Sequence, residues 1–220
     1  MESEFVRMTA LDDPARLTAL RESGILDTPP EAALDRLTRL VTKVLRAPVA
    51  LISLVAEDHQ FFKSCVGLPE PWASARRTPL ILSFCQHVVT SGLPLVVEDA
   101  PRHPLVRDSH AIIELNVVAY AGVPLVTPDG LTLGALCAID TKPRAWSNDE
   151  LDILQDLAAS VMAQVELLAA ARKARLDEQE RTRLMAQVER ERRRIEQVLR
   201  KFRSACPPAR GPRGGSGGPA

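Results

Sequence analysis

An α+β fold built around one antiparallel sheet is what this chain predicts, and three observations lead there. Apolar, β-branched stretches fall into two hairpins, Val49–Val66 and Val117–Asp140. Helix-start signals with apolar residues at helical spacing come before, between and after the hairpins. A last apolar stripe runs on from Ser147 without a breaker until Pro207, predicting a long C-terminal helix or coiled coil. Helices on an antiparallel sheet are the α+β arrangement.

The first element is a short helix. Asp13-Pro14 sets a capping carboxylate before a proline suited to the first turn, Leu17 and Leu20 supply the apolar stripe, and Gly24 ends it. Thr28-Pro29-Pro30-Glu31 reads as a capping box, and Leu34, Leu37, Val41 and Val44 repeat behind it, so a second helix is expected to about Arg46. Pro48 breaks that pattern. Val49–Val55 then reads as a buried strand turning at Glu57-Asp58 into His59–Val66. Gly67–Pro79 has three prolines and no sustained period, which predicts a loop. Ser83 and Gln86 form a capping box for a helix over Ser83–Ser91, closed by Gly92. Pro94–Glu98 is a short strand. Asp99–Asn116 is polar and irregular apart from one helical turn around Leu105–Ser109, a segment suited to border a ligand. The second hairpin joins Val117–Val126 to Leu131–Asp140 through Thr127-Pro128-Asp129-Gly130, where proline sets φ and glycine accepts a positive one. Ser147-Asn148-Asp149-Glu150 is the final capping box, and Leu151, Leu154, Leu157, Val161, Val165 and Leu168 follow it.

Composition removes several function classes. At 220 residues with 45% hydrophobic and 25% charged content, the chain can build one full-sized domain with appendages. Lys and Arg balance Asp and Glu at 28 each, so no global field draws the molecule to nucleic acid or to an acidic membrane. The segment 172–203 holds twelve basic and six acidic residues, densest at Arg192-Arg193-Arg194. Only Phe202 there offers an aromatic face for a base, so a solvated coiled-coil face is favoured over nucleic-acid binding. The cysteines Cys65, Cys85, Cys137 and Cys206 are widely spaced, with no CxxC pair and no signal peptide before them, which points to the reducing cytoplasm. Continuous apolar runs such as Pro48–Ala56 fall short of the roughly 20 residues that span a bilayer, so no membrane segment is expected.

At this point the motifs carry a resemblance. Arg16-Leu17-x-Ala19-Leu20 followed by Gly24-Ile25-Leu26-Asp27-Thr28-Pro29-Pro30 resembles the entry to GAF domains found ahead of bacterial histidine kinases, diguanylate cyclases and phosphatases. Phe61-Phe62-Lys63-Ser64-x-Val66-Gly67-Leu68 is similar to the second strand of that group, and Ser83-Phe84-Cys85-Gln86-His87 to its third helix. Tyr120-Ala121-Gly122-x-Pro124-Leu125 and Leu133-Gly134-x-Leu136-Cys137-x-Ile139-Asp140 are similar to its closing hairpin. The resemblance covers about Asp12 to Leu168. It implies a GAF fold and a sensory role in two-component or related signal transduction, with a kinase, cyclase or phosphatase as output partner. The family takes ligands as different as cyclic nucleotides, haem and bilins, so the cofactor stays unknown. Glu191-Arg192-Arg193-Arg194-Ile195-Glu196-x-Val198-Leu199 looks like the linker from such a domain into a PAS domain.

The expected organisation is a flexible N-terminus over 1–11, a sensor domain over 12–168, a helical coiled-coil extension over 169–203, and a disordered Pro/Gly/Arg-rich tail over 204–220. Leu184, Val188, Ile195, Val198 and Phe202 recur near heptad spacing, which predicts a homodimer, with a phase break across Ala169–Glu180.

Strand alternation puts Val118, Tyr120 and Gly122 on one face, and Leu133, Ala135, Cys137 and Ile139 on one face of the next strand. If the Ser83–Ser91 helix and the Asp99–Asn116 segment cover that face, Phe84, Cys85, His87, Asp99, His103, Tyr120 and Cys137 are the candidate ligand-binding residues. Two bland readings stand beside this one. The pocket is vestigial and the module a passive scaffold, or the cysteines serve a methionine sulfoxide reductase of this fold, whose cysteine spacing this chain does not match. Cys85 and His87 sit at i and i+2 and project to nearly opposite sides of a helix, so no metal site is expected. No catalytic residue is assigned.

Overall fold

A computed structural model describes residues 10–205, the side chains of 202–205 excepted. The expected N-terminal flexibility before residue 10, the side chain of Phe202, Cys206 and the tail from 206 lie outside the described residues. Two compact units divide the chain, one ending at Ala171 and the other beginning at Arg172.

In the first unit, helix α1 (Pro14–Glu22) starts as expected, with the Asp13 side chain accepting from the Ala15 amide at 2.9 Å. Helix α2 covers Ala32–Leu45 and begins later than the Thr28 signal placed it. Thr28 is no cap here. Its hydroxyl donates to the Ile25 carbonyl and accepts from Lys63 Nζ, both at 2.7 Å, so tertiary structure has taken the side chain that the helix start would use. Strands β1 (Val49–Val55) and β2 (His59–Val66) form the first hairpin with the expected bounds. The expected loop after them contains a helical turn, α3 (Trp72–Ala75), and an edge strand, β3 (Arg77–Pro79). Three residues ending in proline carry no readable period, and pairing with β2 supplies the order instead.

A 3₁₀ turn at Leu80–Leu82 leads to helix α4 (Cys85–Ser91), where Ser83 Oγ accepts from the Gln86 amide and Gly92 closes the helix at φ 65°. Strand β4 (Leu95–Val97) follows. In the irregular segment a hydrogen-bonded turn lies near the expected position, with Arg107 N–H donating to the His103 carbonyl and Ser109 N–H to that of Val106, and two further helical turns flank it at Ala100–Arg102 and at α5 (Ala111–Glu114). The backbone of α5 is held from outside, since Val117 N–H reaches back to the Ala111 carbonyl. Strands β5 (Ala119–Val126) and β6 (Thr132–Asp140) form the second hairpin, with Gly130 at φ 82° in its turn.

All strand pairs are antiparallel, in the order β3-β2-β1-β6-β5-β4. The sheet separates two apolar layers. On one face Ala50, Ile52, Leu54, Val123, Leu136 and Ala138 pack with Leu20, Leu34, Val41, Leu45, Leu154 and Val161 from helices. On the other, Leu51, Phe62, Tyr120, Ala135 and Cys137 pack with Leu82, Phe84, Cys85, Val88, Val106, Ala111 and Leu115. Leu133 departs from its expected face and joins the first layer, at the end of the hairpin where the β5–β6 register shifts between Leu125 and Val126.

Helix α6 (Asn148–Ala205) opens on the expected capping box. Ser147 Oγ accepts from the Glu150 amide at 3.2 Å, and Glu150 Oε2 accepts from the Ser147 amide at 2.9 Å. One stretch of α6 is long and apolar enough to cross a bilayer by length and composition, a property the count of continuous apolar runs did not register. That apolarity has a use in the domain, because Leu154, Ala158, Val161, Met162 and Val165 are buried in the first layer. In the second unit Leu176, Leu184, Val188, Ile195, Val198 and Leu199 are exposed.

Candidate functional site

The second apolar layer brings together four of the seven candidate residues. Tyr120 lies on β5 with its ring running along the strand over Gly122: a Cβ at Gly122 would meet the tyrosine hydroxyl at 2.1 Å. Glycine here makes room for the phenol. Gly122 pairs with Cys137 of β6, so the hydroxyl is delivered towards that thiol and towards Cys85 at the start of α4. It donates to Cys85 Sγ at 3.3 Å, and Cys85 Sγ lies 4.0 Å from Cys137 Sγ. Phe84 closes the group, its ring centroid 5.5 Å from that of Tyr120 at a tilt of 60°. All four are buried.

Electrostatics follow from that enclosure. Burial pushes the Tyr120 hydroxyl well above its ordinary range. It also pushes Cys137 well up, and the Cys85 hydrogen bond adds to this. Cys85 goes the other way: the hydrogen bond from Cys137, helped by that from Tyr120, lowers its pKa against the opposing effect of burial.

The three polar candidates sit at the margin. His87, Asp99 and His103 are half-buried. His103 Nδ1 accepts from the Leu105 amide at 3.3 Å and the His103 carbonyl accepts from Val106 and Arg107, so this residue organises the turn after β4. Asp99 precedes the 3₁₀ turn that is tied to the sheet by Ala100 N–H donating to the Val118 carbonyl at 2.7 Å. No group of three or more His, Cys, Asp or Glu suited to a metal ion occurs among the described residues.

Two further constellations escaped the sequence reading. Lys63, on β2, is fully buried, and its ammonium donates to the Thr28 hydroxyl and the Pro29 carbonyl at 2.7 Å each, with Glu31 Oε1 at 4.0 Å. Arg76 backs it, donating to the carbonyls of Thr28, Phe62 and Lys63 while its guanidinium stacks 5.1 Å over the Phe61 ring. Two of the motifs that carry the resemblance, Thr28-Pro29-Pro30 and Phe61-Phe62-Lys63-Ser64, are therefore two halves of one contact.

The other constellation is Arg144, in the short connection from β6 to α6. Its guanidinium donates to Asp140 at 3.3 Å, to Glu150, and to the Leu45 and Arg46 carbonyls at the end of α2, and it stacks 4.3 Å over Trp146. The Arg144 amide donates to the Glu98 carbonyl, and the Trp146 indole to the Val97 carbonyl at 3.3 Å. One arginine thus joins the end of the central strand β6, the orphan carbonyls of α2 and the capping carboxylate of α6. Burial opposes ionisation of Glu150, yet the Ser147 amide and Arg144 together hold its pKa below the ordinary value.

A sequence profile of the GAF domain matches residues 29–165. The chain belongs to the GAF family. This GAF domain is 31% identical over 159 residues to a cyclic di-GMP phosphodiesterase of Pseudomonas aeruginosa, a match covering 71% of this chain and 26% of that protein. The chain therefore spans about a quarter of that relative's length. Among solved structures it is similar to the GAF domain of a phosphoenolpyruvate-protein phosphotransferase from Coxiella burnetii, with a TM-score of 0.55 and 20% identity over 72% of this chain and 96% of that one. It is also similar to a free methionine-R-sulfoxide reductase from Neisseria meningitidis, with a TM-score of 0.52 and 21% identity over 72% of this chain and 89% of that one. Both structural likenesses concern the fold. Family membership and a signalling relative support a sensory or regulatory role.

Proposed function

We propose that this GAF domain is a regulatory input module of the cytoplasm, without a catalytic reaction of its own. It binds a small molecule on the Tyr120 face of its sheet and passes the resulting state through α6 to an output domain or partner, such as a kinase, cyclase or phosphatase. The observation that carries this reading is the Arg144 junction. It ties β6, the strand bearing Cys137, to the capping carboxylate of α6 with only a short connection between them. A displacement of β6 therefore has a direct route into the helix start. A ligand shifts such an equilibrium only by its differential affinity for the two arrangements, and a coupling of about 1–3 kcal/mol is the ordinary scale.

The ligand that fits is a planar heterocycle or similar metabolite. It would stack on Tyr120 and Phe84 and meet His87, Asp99 and His103 once the Asp99–Asn116 segment opens. The exposed apolar residues Leu184, Val188, Ile195 and Val198 support pairing of the second unit into a homodimer. Native mass spectrometry of freshly purified full-length protein, with an absorbance spectrum, reads both features together. The expected result is a dimer carrying small-molecule mass, or one that takes it up from a metabolite and nucleotide panel. A monomer that stays bare across the panel would leave a passive scaffold with a vestigial pocket.

A further inference from the structure

The cluster at Cys85 holds chemistry that packing alone does not require. Two thiols lie 4.0 Å apart, 52 positions apart in sequence, on helix α4 and central strand β6. A phenol donates to one of them at 3.3 Å. The Ser53 hydroxyl of β1 is buried on the same face and, with Tyr120 and Cys137, helps to lower the Cys85 pKa. We propose that Cys85 and Cys137 are an oxidisable pair, which a small hydroperoxide converts to a disulfide within this layer. This assignment does not depend on what the domain regulates.

The step balances with the peroxide as sole oxidant. The Cys85 thiolate attacks one peroxide oxygen and the O–O bond breaks, leaving a sulfenic acid on Cys85 and releasing an alcohol, or water from hydrogen peroxide, with the proton. The Cys137 sulfur then attacks Cys85 Sγ. An S–S bond forms, the S–O bond breaks, and the departing hydroxide takes the Cys137 proton and leaves as water. Two electrons leave the thiol pair and reduce the peroxide.

Geometry sets both the order and the partner. Donation from Tyr120 and Cys137 favours the anionic form of Cys85, whereas Cys137 stays a thiol until its turn. Closing the bond requires the sulfurs to approach by about 2 Å, within reach of side-chain rotation and a small movement of α4 towards the sheet. Cys65 cannot replace Cys85 as the partner of Cys137. It pairs with Leu51 from β2 while Cys137 pairs with Leu51 from β6, so two strand spacings, about 10 Å, lie between them. Because both sulfurs are enclosed, only a small oxidant fits the scheme, and the reaction should depend on local opening of α4 and run slower than at an exposed thiol.

The test uses full-length protein treated with hydrogen peroxide, then denatured, alkylated and peptide-mapped, alongside a Cys65→Ser/Cys206→Ser double variant and the single variants Cys85→Ser and Cys137→Ser. The expected result is loss of two hydrogens, reversed by dithiothreitol, with the Cys85 and Cys137 peptides joined in wild type and double variant and separate in either single variant. The double variant keeps the buried pair, so its map decides the matter even if a single variant fails to fold. Full alkylation of both thiols after peroxide would overturn the proposal. So would a crosslink through Cys65 or Cys206, or Cys85 ending as a sulfinic acid.

Discussion

Replacing Lys63 with alanine should cost about 3–5 kcal/mol of folding stability, the scale for removing one partner of a buried, hydrogen-bonded charge network. The ammonium is fully enclosed, and its loss takes away the donor that the Thr28 hydroxyl and the Pro29 carbonyl share. The vacated aliphatic stem adds a cavity between β2 and the Thr28–Glu31 segment. Lys63→Met keeps most of the stem and none of the donors, so it should recover only the packing part. Urea unfolding followed by circular dichroism reads both midpoints. A Lys63→Ala loss below about 1 kcal/mol would mean that the contact between the two motifs does not hold the domain together.

Gly134→Ala should be comparably damaging, at about 3 kcal/mol, the upper range for forcing atoms into a packed interior. Gly134 lies in β6 between β1 and β5, opposite Leu54 and Leu125. A Cβ there would fall 1.9 Å from the Ser53 carbonyl oxygen and 2.9 Å from Leu54 Cα, both backbone atoms that cannot turn aside as a flexible side chain would. The sheet would have to part at its central pair. Gly130→Ala is the matched control. Its φ of 82° strains an alanine by about 1 kcal/mol, but no atom lies within 4 Å of the new methyl. Equal losses for the two variants would show that backbone conformation, and not strand crowding, decides both.

These two positions also show why parts of the molecule were legible in the sequence and parts were not. β1, β2 and the closing hairpin could be read because alternation, β-branching and turn residues all act within a few positions of one another. The α6 start was equally local, a serine and a glutamate closing reciprocal hydrogen bonds three residues apart. Thr28 misled because its hydroxyl is claimed by a lysine 35 residues away, and local pattern contains no trace of that claim. β3 exists because β2 offers it an edge, not because Arg77-Thr78-Pro79 prefers to be extended. At the candidate site, alternation and the covering helix were enough to assemble Phe84, Cys85, Tyr120 and Cys137. They could not anticipate that these side chains fill the layer between themselves, nor that His87, Asp99 and His103 stay at its edge. Arg144 was invisible for the same reason as Lys63, since its partners at Leu45 and Arg46 are nearly a hundred residues distant.

The proposed coupling of sheet to helix is tested most directly by helical phase. Residues 1–203 would be joined to a kinase that needs dimeric helical input, and one, two, three or four residues inserted after Leu168, with Arg144→Ala in the uninterrupted fusion as companion. Each inserted residue turns the downstream helix by about 100°, so a helix that transmits orientation should make kinase activity rise and fall across the series. Activity should return towards the parent level near four insertions, one turn on, and should lose its response to domain state when Arg144 no longer ties β6 to Glu150. Kinase output that is the same at every insertion length and unaltered by Arg144→Ala would contradict transmission through α6 and leave the helix as a means of holding two copies together.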